Sequence, residues 1–252
     1  MPSIDLNADL GENAPGSVIS DDAGLLELVS SANVSGGFHA GTIEGIVETL
    51  AEAVRRGVVI GAHPSYRDRE HFGRLPLDVE PAVLQAEVEE QIGLLVDLAG
   101  AAGGRVAYVK PHGALYNRIV HDVRQAEAVV AGVRAIDTDL TLLGLADSAV
   151  LIAAERAGLA IATEAFADRG YLPDGTLVPR TRPEAVLHDP IEVARRVVRL
   201  AQEGVIRAVD GTDVTVTAQS ICVHGDSPGA VAMAAETRRA LELAGVAIQA
   251  FV

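Results

Sequence analysis

The sequence predicts an α/β fold, an irregular (β/α) barrel of about seven parallel strands forming a single domain over residues 1–252. Three observations carry this expectation. A rhythm of amphipathic run, glycine and β-branched stretch recurs along the chain. The strand-like runs are nearly continuous in apolar residues, as in a sheet buried on both faces. Residues capable of chemistry collect where those runs end, which is where barrel enzymes keep their functional groups.

The rhythm reads Arg55-Arg-Gly57-Val-Val-Ile60, Arg156-Ala-Gly158-Leu-Ala-Ile161 and Leu243-Ala-Gly245-Val-Ala-Ile248, with looser copies ending at Val106 and Ile206. Glycine just past a helix end relieves the left-handed residue there, so each copy predicts a helix stop feeding a strand. Between Thr42 and Arg56, the positions Ile43, Ile46, Val47, Leu50 and Val54 fall on one helical face. Pro81, Pro190 and Pro228 suit the first turn of three further helices. The expected strands are Ser3–Asn7, Ala32–Ser35, Val58–Ala62, Val106–Lys110, Leu140–Leu145, Ala160–Ala165 and Ser220–His224. Closed into a ring they make a barrel, and left open a doubly wound sheet. The first strand is not followed by the Gly-rich dinucleotide fingerprint, which favours the ring.

Composition excludes several function classes. A net charge of −15 leaves no basic footprint for nucleic acid or anionic lipid. Cys222 is the only cysteine, so neither an internal disulfide nor a thiolate zinc cluster is expected. The start, Met-Pro-Ser-Ile-Asp, lacks the basic and apolar regions of a secretory signal, and no run reaches the roughly 18 apolar residues of a membrane span. A cytoplasmic protein is the expectation. Walker A requires G-K-[ST], and the only lysine is flanked by Val109 and Pro111, so the chain has no recognised P-loop for ATP.

That lysine is informative. The chain uses arginine at every other cationic position, and Lys110 ends a strand in Val106-Ala-Tyr-Val-Lys110-Pro-His112-Gly. Lysine is a compact amine whose pKa moves on burial, whereas arginine is a bulkier planar fork that stays charged. Asn7, Asp9 and Glu12 accompany the first strand, His39 the second, His63 the third, and Lys110 with His112 the fourth. Glu164, Asp168 and Arg169 end the sixth, and His224 with Asp226 ends the seventh. The two longest connections, Pro64–Glu80 and Phe166–Asp189, are expected at the same end, as lids or binding loops. Asp9, His39 and His63 offer a carboxylate and two imidazoles of the kind that hold a divalent metal, while Asp9 and Glu12 could each instead cap a helix. Cys222, in mid-strand, reads as a buried and inert thiol.

Six segments in order, Ile-Asp-Leu-Asn-Ala-Asp-Leu-Gly-Glu12, Gly-Phe-His39-Ala-Gly, Gly-Ala-His63-Pro-Ser, Val-Lys110-Pro-His112-Gly-Ala-Leu-Tyr116-Asn, Phe-Ala-Asp168-Arg169-Gly-Tyr and Val-His224-Gly-Asp, resemble the family of 5-oxoprolinase A subunits, also called LamB/YcsF. The resemblance implies a seven-stranded barrel related to glycoside hydrolases and carbohydrate deacetylases. It also implies ATP-dependent opening of 5-oxoproline to L-glutamate, with Mg-ATP as co-substrate and subunits B and C as partners. Under it, Asp9, Glu12, Lys110 and His112 are the expected catalytic residues, with Lys110 and Arg169 holding the substrate carboxylate or a phosphorylated oxygen. Asn7, His39, His63, Tyr116, Asp168, Arg169 and His224 are the expected substrate-binding residues. The chain departs from the family pattern at Gly36, where members often carry Cys, at Thr42, where they often carry Asp, and in the insertion-like Asn13-Ala-Pro-Gly-Ser17. Gly36 argues against an obligatory thiol. Two alternatives stand beside this reading: a metal-dependent amide or carbohydrate deacetylase using Asp9, His39 and His63, and a non-catalytic lactam- or sugar-binding protein.

Overall fold

A computed structural model describes residues 2–14, 16–227 and 229–252. In chain order the elements are β1 (Ser3–Leu10), α1 (Asp22–Leu26), β2 (Ser31–Ser35), α2 (Ile43–Arg56), β3 (Val59–His63), α3 (Pro81–Ala101), β4 (Val106–Val109), α4 (Gly113–Arg118) and α5 (Val123–Ile136). They continue with β5 (Thr141–Leu145), α6 (Ala149–Arg156), β6 (Ile161–Phe166), α7 (Pro190–Glu203), β7 (Val205–Arg207), β8 (Asp213–Thr215), β9 (Ser220–Val223), α8 (Ala230–Leu243) and β10 (Ala247–Ile248). The parallel strands β1 to β6 run in sequence order, β9 follows β6, and β9 pairs back to β1, closing a seven-stranded barrel.

The seven strands predicted from sequence are these seven, with ends shifted by up to three residues. The largest shift is in β1, which runs on to Leu10, so Asp9 lies within the strand rather than after it. Two copies of the glycine rhythm feed strands outside the barrel. Gly204, left-handed at φ 66°, stops α7 before β7, which forms an antiparallel hairpin with β8. The copy at Gly245 leads to β10, which adds to the outside of β1 at Ser3 and Ile4.

Alternation along β1 explains the layering. Ile4, Leu6, Ala8 and Leu10 belong to the main apolar core. Asp5, Asn7 and Asp9 face the opposite way, into the barrel, where they meet Ser220, Asn33 and Lys110. The strands are therefore not apolar on both faces, since the barrel interior carries a hydrogen-bonded polar column. The outer core is built by the helices, with Leu84, Val88, Ile92 and Leu95 of α3 fully buried, each worth about 1.5–3 kcal/mol.

In α2, capped by Thr42, the buried positions are Ile46, Thr49, Leu50 and Ala53, while Ile43 is 47% and Val47 39% exposed. The inward face is thus rotated from the one predicted. A hydrogen bond from Thr49 Oγ1 to Asp22 Oδ2, at 2.8 Å, ties it toward α1. Pro81 and Pro190 open α3 and α7 as expected. Pro228 lies outside the described residues.

Candidate active site

The polar column begins deep in the barrel. Ser30 and Ser31 donate to Asp5 Oδ1 at 2.6 and 2.7 Å, and Ser220 donates to Asp5 Oδ2. Asn7 Nδ2 donates to Ser220 Oγ at 2.6 Å. Asn33 Nδ2 donates to Asn7 Oδ1 at 2.7 Å and to Asp9 Oδ1 at 2.8 Å, and Tyr108 donates its hydroxyl proton to Asn33 Oδ1 at 2.7 Å. Donors and acceptors alternate, so a satisfied network fixes the Asp9 carboxylate. Tyr108 fits because β3 carries Gly61 opposite it: a Cβ there would stand 2.2 Å from the phenol ring.

Lys110 is 2% exposed and turns its amine into this column. Its Nζ lies 3.2 Å from Asn7 Oδ1, 3.2 Å from Asp9 Oδ1 and 3.1 Å from Glu164 Oε2. Burial works against the ammonium, but Asp9, then Cys222 and Glu164, hold its pKa well above the ordinary lysine value. Burial likewise opposes the Asp9 carboxylate, yet Lys110 and His63 keep it well below the usual range. Glu164, one of the polar residues expected at the end of the sixth strand but given no role there, is a third party to this group. The Tyr116 hydroxyl is buried without a well-formed hydrogen bond, and its pKa is raised by burial and then by Glu164. The Cys222 thiol is fully buried and pushed well up by desolvation, which makes it inert.

Above the lysine, three histidines cluster. His39 and His112 stack at 3.8 Å between centroids, and His63 meets His112 edge-on at 4.8 Å. Their partners assign the protons. His63 Nδ1 donates to the Lys110 carbonyl at 2.6 Å, and His112 Nε2 donates to the Phe72 carbonyl at 2.9 Å. The remaining nitrogens, His63 Nε2 and His112 Nδ1, face each other at 3.0 Å and share one further proton. Two rings with three protons carry one positive charge, balanced by Asp9 Oδ1 at 3.5 Å from His63 Nε2. Burial, and after it the neighbouring His63, pushes His112 down to about 3. Phe72, which presents its carbonyl to His112, has φ 56°, a left-handed conformation unusual for a bulky residue.

His39 has a different role. Ser65 Oγ donates to the Tyr66 carbonyl at 3.0 Å and accepts from His39 Nδ1 at 2.8 Å. His39 Nε2 is then an acceptor, 2.9 Å from Glu12 Oε1. Burial, and after it the Asp9 charge, raises the Glu12 carboxyl well above its usual value, so Glu12 is the protonated donor. Gln91 holds Ser65 through both backbone groups, at 2.9 and 3.0 Å, and its side chain fills the space beside Gly36, where a Cβ would stand 2.7 Å from Gln91 Cβ. Ser65 ends the segment Gly-Ala-His63-Pro-Ser, but no role for it is legible in sequence, and Gln91 carries no sign at all, because neither residue type nor spacing marks a supporting hydrogen bond.

Among the described residues, the sets with metal-ligand geometry are Asp9–His63–His112, Glu12–His39–His112 and Asp9–Cys222–His224, with donor atoms within 4.8 Å of one another. The expected grouping of His39 with Asp9 and His63 is corrected: Ser65 and Glu12 occupy both nitrogens of His39. In the first set, one carboxylate and two imidazoles suit zinc chemically. Two imidazoles on one zinc stand about 3.3 Å apart at Zn–N distances of ~2.0–2.1 Å. The observed 3.0 Å is a hydrogen-bond separation.

Asp168 accepts from His224 Nδ1 at 2.8 Å, and that contact outweighs burial to keep its carboxyl low. Phe166 stacks on the His224 ring at 5.4 Å. Arg169 differs from expectation: its Nε donates to the Ala185 carbonyl at 2.9 Å and its Nη2 to the Val178 carbonyl at 2.7 Å. The guanidinium thereby clamps the long connection between β6 and α7 while also lining the cavity.

These residues surround a cavity of about 650 Å³ at the C-terminal end of the barrel. Asp9, His63, Lys110, His112 and His224 line its polar side, and Pro111, Ala114, Tyr116, Leu145, Phe166 and Leu177 its apolar side. Both long connections overhang it, one through Arg74 and Pro76 and the other through the stretch from Thr176 to Thr181. Asn7, Glu12, His39 and Asp168 stand behind this lining as supports.

The sequence profile of the LamB/YcsF family matches residues 4–252. A 5-oxoprolinase A subunit of Agrobacterium fabrum is 54% identical over 251 residues, covering 100% of this chain and 98% of that protein. A lactam utilization protein from Thermus thermophilus superposes with a TM-score of 0.93 at 40% identity, covering 99% of this chain and 100% of that one. A polysaccharide deacetylase from Bacillus cereus shares the fold, with a TM-score of 0.51 at 12% identity over 100% of this chain and 93% of the other.

Proposed function

The chain belongs to the LamB/YcsF family, and we propose that it is the A subunit of an ATP-dependent 5-oxoprolinase, opening 5-oxo-L-proline to L-glutamate. The observation that carries this reading is the convergence of Asp9, His63, Lys110 and His112 on one half-apolar cavity. The likeness to the Agrobacterium 5-oxoprolinase protein, which runs the full length of the chain, supports it.

A five-membered lactam is a poor electrophile, so ATP serves to turn its carbonyl oxygen into a leaving group. This chain has no P-loop motif, and we assign Mg-ATP binding to the partner subunits B and C, in the cytoplasm. What remains is hydrolysis. The lactam ring packs on the Tyr116–Phe166 side of the cavity. Asp9, an ionised carboxylate, takes a proton from water as its oxygen bonds to the lactam carbon. Lys110 offsets the negative charge that develops on the reacting oxygen. When the ring C–N bond breaks, the nitrogen takes the proton shared by His63 and His112, leaving a glutamyl phosphate that a second water hydrolyses to L-glutamate and phosphate. Asp9, now carrying the proton it took from water, returns that proton to the pair. Asn33 and Tyr108 orient Asp9, while Glu12, His39 and Ser65 orient His112 by stacking and hydrogen bonding.

A second reading has one observation in its favour. Asp9, His63 and His112 would hold a divalent metal through the same three atoms that share the proton, and the metal would supply an activated water for a deacetylase-type hydrolysis. The deciding experiment is reconstitution. The isolated chain should neither hydrolyse 5-oxoproline nor consume ATP at a significant rate, and activity should appear on adding subunits B and C. Hydrolysis of amides or acetylated sugars by the chain alone, without ATP, would replace the first reading by the second.

A further inference from the structure

The cavity is lined by Arg74, Lys110, Arg118, Arg169 and Arg180, and their partners sort them. Lys110 is balanced by Asp9 and Glu164. Arg74 pairs with Asp226 at 2.5 Å, and Arg118 with Asp122 at 2.8 Å. Arg169 donates to the carbonyls of Ala185 and Val178. Arg180 alone, among the described residues lining the cavity, is a cation with neither an ion pair nor a side-chain hydrogen bond. It sits in the overhanging β6–α7 connection, exposed to solvent and lining the cavity.

An anion in the cavity would find in Arg180 a guanidinium with no ion-pair partner within 4 Å among the described residues, near but not paired with Asp226 and Asp168. We infer that Arg180 is the residue that recognises the substrate carboxylate, selecting a cyclic amide that bears an anionic group over a neutral one. This rests on the lactam reading above and deepens it. Partial desolvation, and then the neighbouring Arg74 charge, holds Arg180 below the ordinary arginine pKa, and a bound carboxylate relieves that repulsion. A guanidinium binds a carboxylate through two parallel hydrogen bonds, which gives orientation as well as affinity. The ring then lies along Phe166 with its amide toward His63, His112 and Lys110.

The test is equilibrium binding to the assembled complex without ATP, using 5-oxo-L-proline and its neutral amide, 5-oxo-L-prolinamide. A hydrogen bond to a charged group is worth about 1.5–3 kcal/mol, so the wild type should prefer the acid by on the order of tenfold to a hundredfold. Arg180→Gln should abolish that preference, mainly by weakening the acid. Arg180→Lys should restore part of it, and Arg182→Gln, whose exposed side chain pairs with Glu184, should leave it intact. Persistence of the preference in Arg180→Gln would overturn the assignment, as would equal loss for both ligands, which would mean a damaged loop. A wild-type complex that binds neither compound would remove the lactam reading itself, a failure separate from that of Arg180.

Discussion

Taken residue by residue, the site depends on charges held away from water. His39 is pushed well down by burial and His112, and His112 down to about 3 by burial and His63. In the unfolded chain both take up a proton near pH ~6.5. Their folded pKa values are depressed, so the stability they contribute is present above about 6.5 and is lost as pH falls, for His112 down to about 3. Urea midpoints should therefore decline from about pH 7 to about pH 5, and a flat profile across that window would show that the histidines are solvated. Lys110 makes the complementary case. Removing its amine in Lys110→Met leaves Asp9 and Glu164 without their cation and should cost about 3–5 kcal/mol. Lys110→Arg keeps the charge but forces a fork between Glu164, Asp9 and the Phe166 ring, whose centroid is 5.2 Å from Nζ. It should lose about 1–3 kcal/mol from overpacking together with most turnover. Wild-type stability and activity in Lys110→Arg would mean that the amine is not confined as described.

Among the elements, strand register delivers the catalytic geometry. Gly61 on β3 stands opposite Tyr108 on β4, and the Tyr108 hydroxyl orients Asn33, which orients Asp9. A Cβ at position 61 would meet the phenol at 2.2 Å. Gly61→Ala should cost on the order of 1–3 kcal/mol and, by tilting Tyr108, lower kcat more than it raises KM. Unchanged kinetics in a destabilised Gly61→Ala would confine Tyr108 to packing. The connections behave as elements too. Arg69 reaches from the β3–α3 connection to the carbonyls of Gly37 and Gly41, at 2.6 and 2.7 Å, so one mouth loop is tied to another. Arg169 instead ties the β6–α7 connection to itself, through the carbonyls of Ala185 and Val178.

In the molecule as a whole, the cavity lies at one end of a closed barrel, and no helix among the described residues is long and apolar enough to cross a membrane. The shared proton and a divalent metal compete for the same space between His63 Nε2, His112 Nδ1 and Asp9 Oδ1. Chelation therefore separates the two chemistries. Turnover of the assembled complex should survive EDTA once the Mg²⁺ needed by ATP is restored. Stoichiometric zinc in the purified chain, with activity that follows its removal and return, would establish the metal instead.

Local sequence was enough for the seven barrel strands, the helix starts at Pro81 and Pro190, and the collection of Asp9, His63, Lys110 and His112 at strand ends. Those features are written in the period of apolar residues and in glycine and proline chemistry, which act over a few neighbouring positions. Which side chains meet is a tertiary matter. His63 and His112 are 49 positions apart and Lys110 and Asp9 101 apart, and their contact depends on ring closure and register. Burial of α2 on the Thr49 side, the pairing of His39 with Glu12, and the use of Arg169 on loop carbonyls follow from neighbours that no local pattern names. Arg180 could not be singled out either, because a cation left without a close ion-pair partner is recognisable only after every other charge has found its own.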